Sequence, residues 1–149
     1  MIEDIDGPVA GTPWHLWALG ALSLLWNAGG AFDYTMTKTR NAGYMANFTA
    51  EQIAWFDGFP IWMNAAWALG VWGAVAGSVL LLLRHRWAVA AFAISLAGLI
   101  VGTVYQFAVS DMPESLKTPG GWAFTGALWV IAIFLLWYAM RMRARGVLR

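Results

Sequence analysis

Four stretches of this chain contain no Asp, Glu, Lys or Arg: Pro13–Phe32, Pro60–Leu83, Trp87–Ser110 and Gly121–Met140. An uncharged apolar run of about 20 residues is what a helix needs to cross a hydrocarbon core about 30 Å thick, at about 1.5 Å of rise per residue. A water-soluble helix of that length would show charges along its outward face. Composition agrees: 60% of the 149 residues are apolar, 11% are charged and eleven are Trp, far from the soluble average. The expected fold is an all-α membrane protein, a four-transmembrane-helix antiparallel bundle. A single membrane domain covers 1–149, with spans at about 13–33, 60–83, 87–109 and 121–140.

The connectors set the topology. Residues 34–59 make one sizeable loop, Arg84-His85-Arg86 a minimal turn, and Asp111–Gly120 a short loop holding Pro113 and Pro119. Arg84, Arg86, Arg141, Arg143, Arg145 and Arg149 fall on one side and Lys38, Arg40 and Lys117 on the other. The excess of basic residues on the first side makes it cytoplasmic. Both termini, including the tail 141–149, are therefore expected on the cytoplasmic side of the membrane; seven Arg against two Lys suggest a GC-rich genome, compatible with a bacterial inner membrane. The start MIEDIDGPVAGTP is acidic, unlike the basic n-region of a cleaved secretory signal, so the first run is expected to stay as a helix.

Trp14, Trp17, Trp87 and Trp137 fall at the expected inner interface and Trp55, Trp62 and Trp122 at the outer one, where amphipathic rings favour headgroup depth. Trp26, Trp67, Trp72 and Trp129 lie deeper, against neighbouring helices and lipid or against a ligand or pigment. Helix association in lipid depends on close packing. The second span reads Ala66-x-x-x-Gly70-x-x-x-Ala74 beside Gly73-x-x-x-Gly77, and the third contains Gly98-x-x-x-Gly102. These faces suit packing of the two helices on each other, or of one chain on a second copy.

Several chemistries lack their residues. The spans hold no ionisable group at mid-depth, which counts against proton-coupled transport. There are no cysteines. No HExxH, GxSxG or phosphate-cradling glycine loop occurs. His15 and His85 stand at the inner edge, as interfacial residues or, for His15, as a haem or chlorophyll ligand. The expectation is a non-enzymatic protein with no catalytic residue, metal or cofactor. A net charge of +1 gives no reason to expect nucleic acid.

Charges of both signs converge only on the outer side, where Asp33, Glu51, Asp57, Asp111 and Glu114 join the three basic residues. In Phe48-Thr49-Ala50-Glu51-Gln52-Ile53, Thr49 and Gln52 form a capping box and Phe48 and Ile53 a hydrophobic staple. A short interfacial helix over Ala50–Asp57 is predicted, ended by Gly58, with Pro60 opening the second span. Asp33 either shapes the exit of the first helix, pairing with Arg40 or Lys117, or forms a polar site with Asn27. Thr35, Thr37 and Thr39 suit a strand, whereas Asp33, Thr37 and Arg40 would share a helical face. The candidate ligand-binding residues are Asn27, Asp33, Arg40, Asn64, Trp67 and Gln106.

The segments LLWNAGGAFDYTMTKTRN, FTAEQIAWFDGFPIW, GVWGAVAGSVLLLLRHRWAV and TVYQF resemble a family of small four-helix bacterial inner-membrane proteins about as long as this chain. Some members carry an automatic "sugar transporter" label. The resemblance implies location and topology. The functional expectation is an accessory or scaffold subunit, or a small-ligand-binding module, working through its periplasmic face. The alternatives are a small oligomeric transporter of an uncharged, sugar-like solute lined by Asn27, Asn64, Trp67 and Gln106, and an assembly partner of a pigment or respiratory complex. Expected partners are the lipid bilayer and another membrane protein or further copies of the chain.

Overall fold

A computed structural model describes residues 11–149; the acidic start and the placement of the N-terminus lie outside the described residues. Among those residues all regular structure is helical: α1 (Trp14–Lys38), α2 (Ala42–Met45), α3 (Ala50–Asp57), α4 (Ile61–Leu82), α5 (Ala88–Val104) and α6 (Pro119–Ala144). A π-helical turn at Tyr105–Val109 continues α5, and a 3-10 turn spans Glu114–Leu116.

Three helices are long and apolar enough to cross a membrane: Ile61–Leu82, Ala88–Val109 and Pro119–Ala144, with mean hydropathies of 1.8, 2.1 and 2.0. Only 17%, 22% and 17% of these spans is buried within the molecule. Most of their apolar surface faces outward, which lipid solvates and water would not. α1 is as long, at 25 residues, but does not join that group; His15, Asn27, Asp33 and Lys38 lower its hydropathy.

α1 runs to Lys38, five residues beyond the expected end of the first span at 33. Its threonines are helical, not strand-like. Thr35 Oγ1 donates to the Ala31 carbonyl and Thr39 Oγ1 to the Thr35 carbonyl, each at 2.7 Å, so the hydroxyls are satisfied on the helix itself. α2 was not anticipated. α6 extends into the expected tail, as far as Ala144.

The helix ends share one device. At the end of α1, Arg40 N–H donates to the Thr37 carbonyl and Asn41 N–H to the Met36 carbonyl; at the end of α4, Arg84 donates to Leu81 and His85 to Leu80; at the end of α6, Gly146 donates to Arg143 and Val147 to Met142. Each is a Schellman closure with its C′ residue in the left-handed region. Gly146 adopts φ 70° without steric cost, while Arg40 and Arg84 adopt φ 51° and 55°, where a Cβ is unfavourable.

The long helices pack antiparallel. Across the α1–α4 seam, Asn27 Nδ2 donates to the Ala74 carbonyl at 3.2 Å and to Ser78 Oγ at 3.0 Å. Across the α4–α5 seam the backbones nearly touch: a Cβ on Gly98 would stand 2.5 Å from the Ala66 carbonyl oxygen and 2.8 Å from Gly70 Cα. Ser95 Oγ adds a 2.6 Å hydrogen bond to the Gly70 carbonyl. Gly73 lies against Ala91 and Ser95, Gly77 against the Phe92 ring, and Gly102 against Met63. The small-residue faces of both helices are thus spent within one chain.

Buried residues form two clusters. The larger, at the arginine-rich end, joins Leu16, Leu81, Ala88, Phe92, Leu135 and Tyr138 with their neighbours. Val147 and Leu148 close it from below, because Arg149 N–H donates to the Arg84 carbonyl at 2.9 Å and the Arg149 carbonyl accepts from Arg86 at 3.0 Å. The smaller cluster, at the loop end, centres on Phe59, Met63 and Tyr105.

Candidate functional site: an aromatic cap at the loop end

The cap begins where α1 leaves the bundle. The left-handed turn at Arg40 reverses the chain, and the Asn41 side chain accepts from Tyr44 N–H at 3.1 Å to start α2. This local capping folds Tyr44 back over α1, where its hydroxyl donates to Asp33 Oδ1. Burial, and then the neighbouring Asp33 carboxylate, push the Tyr44 phenol up to about 12, because both disfavour a second negative charge there. Asp33 therefore pairs with neither Arg40 nor Lys117, correcting both expected partners. Arg40 Nη2 meets Asp57 Oδ1 at 2.5 Å, and Lys117 meets Glu114 at 2.5 Å. The Arg40–Asp57 pair is largely exposed and so contributes little energy; it ties the end of α1 to the end of α3.

α3 occupies the predicted Ala50–Asp57. Thr49 Oγ1 accepts from Gln52 N–H at 3.2 Å and Gln52 Oε1 from Thr49 N–H at 3.0 Å, the reciprocal capping box. Phe48 packs on Phe56 and Tyr44, with ring centroids 5.6 Å apart in both cases. Gln52 Nε2 reaches Ser115 Oγ at 3.2 Å, joining the two loops at this end.

Behind α3 lies a knot of rings. Phe59, only 7% exposed, touches Trp55, Phe56, Trp67 and Tyr105 with centroids 4.8–6.1 Å apart. Tyr34 from α1 meets Trp67 edge-on at 5.0 Å. Lys38 Nζ donates to Asn64 Oδ1 at 2.6 Å and lies 5.9 Å from the Trp67 ring centroid. Asn64 Nδ2 in turn donates to the carbonyls of Phe59 and Pro60 at 2.9 and 3.2 Å. Trp55 Nε1 is buried with no hydrogen-bond partner among the described residues.

The six candidate residues thus separate. Arg40, Asn64 and Trp67 belong to the cap, and Asp33 adjoins it through Tyr44. Asn27 sits apart in the α1–α4 seam, so it and Asp33 form no joint pocket. Gln106 lies in the π-helical turn, its carbonyl accepting from Ser110 Oγ at 3.2 Å. The six candidates do not include Lys38, Tyr44 or Phe59; the charge distribution points to Lys38, the capping Asn41 three residues earlier is a local signal for Tyr44, and Phe59 has none. Among the described residues no three His, Asp or Glu side chains converge as a metal site would require. No family model, curated protein or solved structure matches this chain.

Proposed function

We propose that the chain is a non-enzymatic bacterial inner-membrane protein with four spans and both termini cytoplasmic, acting as an accessory or scaffold subunit through its outer cap. α1 serves as the fourth span: it runs antiparallel along α4, and its mid-helix amide, Asn27, is bonded to α4 rather than left bare in lipid. The six arginines at the opposite end supply the cytoplasmic bias. The family resemblance supports the same topology.

One observation carries the functional reading. The charged and polar groups of the cap bond one another, Asp33 with Tyr44, Arg40 with Asp57 and Lys38 with Asn64. That gives a shaped surface suited to a partner rather than an open polar pocket for a solute. Trp26 and Trp72, 39% and 48% exposed, offer mid-depth contact area for a neighbouring membrane helix.

A photo-crosslinker placed at Glu51 should capture a stoichiometric partner in membranes, and Arg40→Ala should reduce that capture. A monomer without crosslinks, emerging cleanly from mild detergent, would overturn the subunit reading. Solute flux above background in liposomes would favour the transporter. Because the chain lacks cysteine, Ser115→Cys and Arg143→Cys report topology directly: an impermeant thiol reagent added outside should label the first only.

A further inference from the structure

At the arginine-rich end, α1 and α6 do not close on each other. A cavity of about 270 Å³ lies between them. Its polar wall is His15 from α1 with Tyr138, Arg141 and Arg145 from α6; its apolar wall includes Leu19 and Phe134. Positions 138, 141 and 145 follow helical spacing at the end of α6, so Tyr138 and the two arginines share one face. Tyr138 is only 5% exposed, and its hydroxyl shares a 2.5 Å hydrogen bond with His15 Nδ1; with the imidazole proton on Nδ1, His15 donates to the phenol oxygen and leaves the phenol proton for an anion. The Arg141 guanidinium lies 5.8 Å from the Trp137 ring centroid.

Charge selects the occupant. The two ion pairs among the described residues both lie at the loop end, so Arg141 and Arg145 face the cavity with no carboxylate among those residues. Two like charges four residues apart on a helix repel, and an anion between them removes that cost. The half-exposed Trp137 and the apolar wall make the mouth of the cavity continuous with the outward surface of α6. A free anion would use only the arginines, whereas an amphiphile uses both walls.

We infer that the α1–α6 cavity binds one anionic phospholipid, its phosphate held by Arg141, Arg145 and the Tyr138 hydroxyl and its acyl chain laid along Leu19 and Phe134. The inference rests only on the chain being embedded in a membrane, and is independent of any protein partner at the cap. It differs from general attraction to an anionic surface, which every arginine in the tail would share.

That difference supplies the test. The full chain, purified in mild detergent, is titrated with phosphatidylglycerol and bound lipid is counted by native mass spectrometry. One tightly held lipid is expected, with Arg141→Gln and Arg145→Gln each weakening it about tenfold, as loss of a charge-assisted contact does. Tyr138→Phe keeps the ring and should weaken it about threefold. Arg143→Gln, outside the cavity, should leave it unchanged. Equal loss in Arg143→Gln would reduce the effect to bulk electrostatics and overturn the site. So would equal retention of phosphatidylcholine, or displacement of the lipid by inorganic phosphate. Unchanged helical circular dichroism in each variant excludes unfolding as the cause.

Discussion

The α4–α5 seam and the α1–α6 seam differ more than any other two regions of the molecule. In the first, helices joined by the five residues 83–87 approach until a single methyl on Gly98 would strike backbone. In the second, the helices meet through His15–Tyr138 and Trp26–Phe124, with the cavity between α1 and the end of α6. Glycines occur on both pairs of helices. A Cβ on Gly29, Gly30 or Gly126 would have no neighbour within 4 Å. Small residues permit close approach in lipid but do not compel it; a partner backbone must also present its own small residue at the same level, as Gly70 does for Gly98. The short Arg84–Arg86 turn brings that partner into register, and no comparable tether joins α1 to α6.

The largest expected effect tests the tight seam. Gly98→Ala should lower stability by about 1–3 kcal/mol, read from the unfolding midpoint in mixed micelles, since neither the Ala66 carbonyl nor the Gly70 backbone can rotate away as a side chain could. Tolerance of Gly98→Ala would mean that the seam is less intimate than the one described. Asn27→Leu probes the intermediate α1–α4 seam and should cost about 1 kcal/mol by removing an interhelical amide, with α1 becoming more susceptible to protease while α4 and α5 stay protected.

The cap gives a pH-dependent contrast. Tyr44 titrates normally near 10.0 and is held up to about 12 in the folded loop. A raised folded value favours the protonated phenol, so its contribution is complete below pH 10 and is lost as pH rises through about 12. Phenolate absorbance should show this late titration, and exposure of the Trp55–Trp67 rings should follow it; Tyr44→Phe should abolish both the titration and the pH dependence. The α4–α5 seam contains no ionisable group and should not respond. The smallest effect is expected on the loose side, where Gly126→Ala should stabilise by up to about 1 kcal/mol through helix propensity alone. A loss there would show that the α1–α6 face is covered by something.

Local chemistry made part of this fold legible. The α3 capping box lies within four consecutive residues, so its boundaries could be read directly. Four uncharged runs mark four expected spans, and three of them are helices long and apolar enough to cross a membrane, since length and apolarity need no partner. The end of α1 was harder: the Schellman turn at Arg40 uses an arginine where glycine is the usual signal. Asp33 stands out in the sequence as the carboxylate that ends the first uncharged run, yet its partner, Tyr44, depends on a chain reversal that hydropathy does not encode. The return of Val147–Arg149 onto the α4–α5 turn was invisible for a related reason, because its hydrogen bonds join segments distant in sequence.

The π-helical turn at Tyr105–Val109 sets a limit on editing this chain. Ser110 N–H closes onto the Tyr105 carbonyl at 2.8 Å, a five-residue step that accommodates one residue more than an α-helical turn. With that surplus, Tyr105 points back to Phe59 and Trp62 while Phe107 stacks on Trp122 of α6 at 5.2 Å. Deleting Ala108 would restore an uninterrupted α-helix and swing everything after it by one residue's rotation. Tyr105 and Phe107 both precede the deletion, so the swing falls on α6 and would draw Trp122 away from Phe107 while Tyr105 keeps its place in the cap. Homologous or designed versions of the protein should therefore preserve the residue count between these two rings and Trp122 more strictly than the identities of the residues between them.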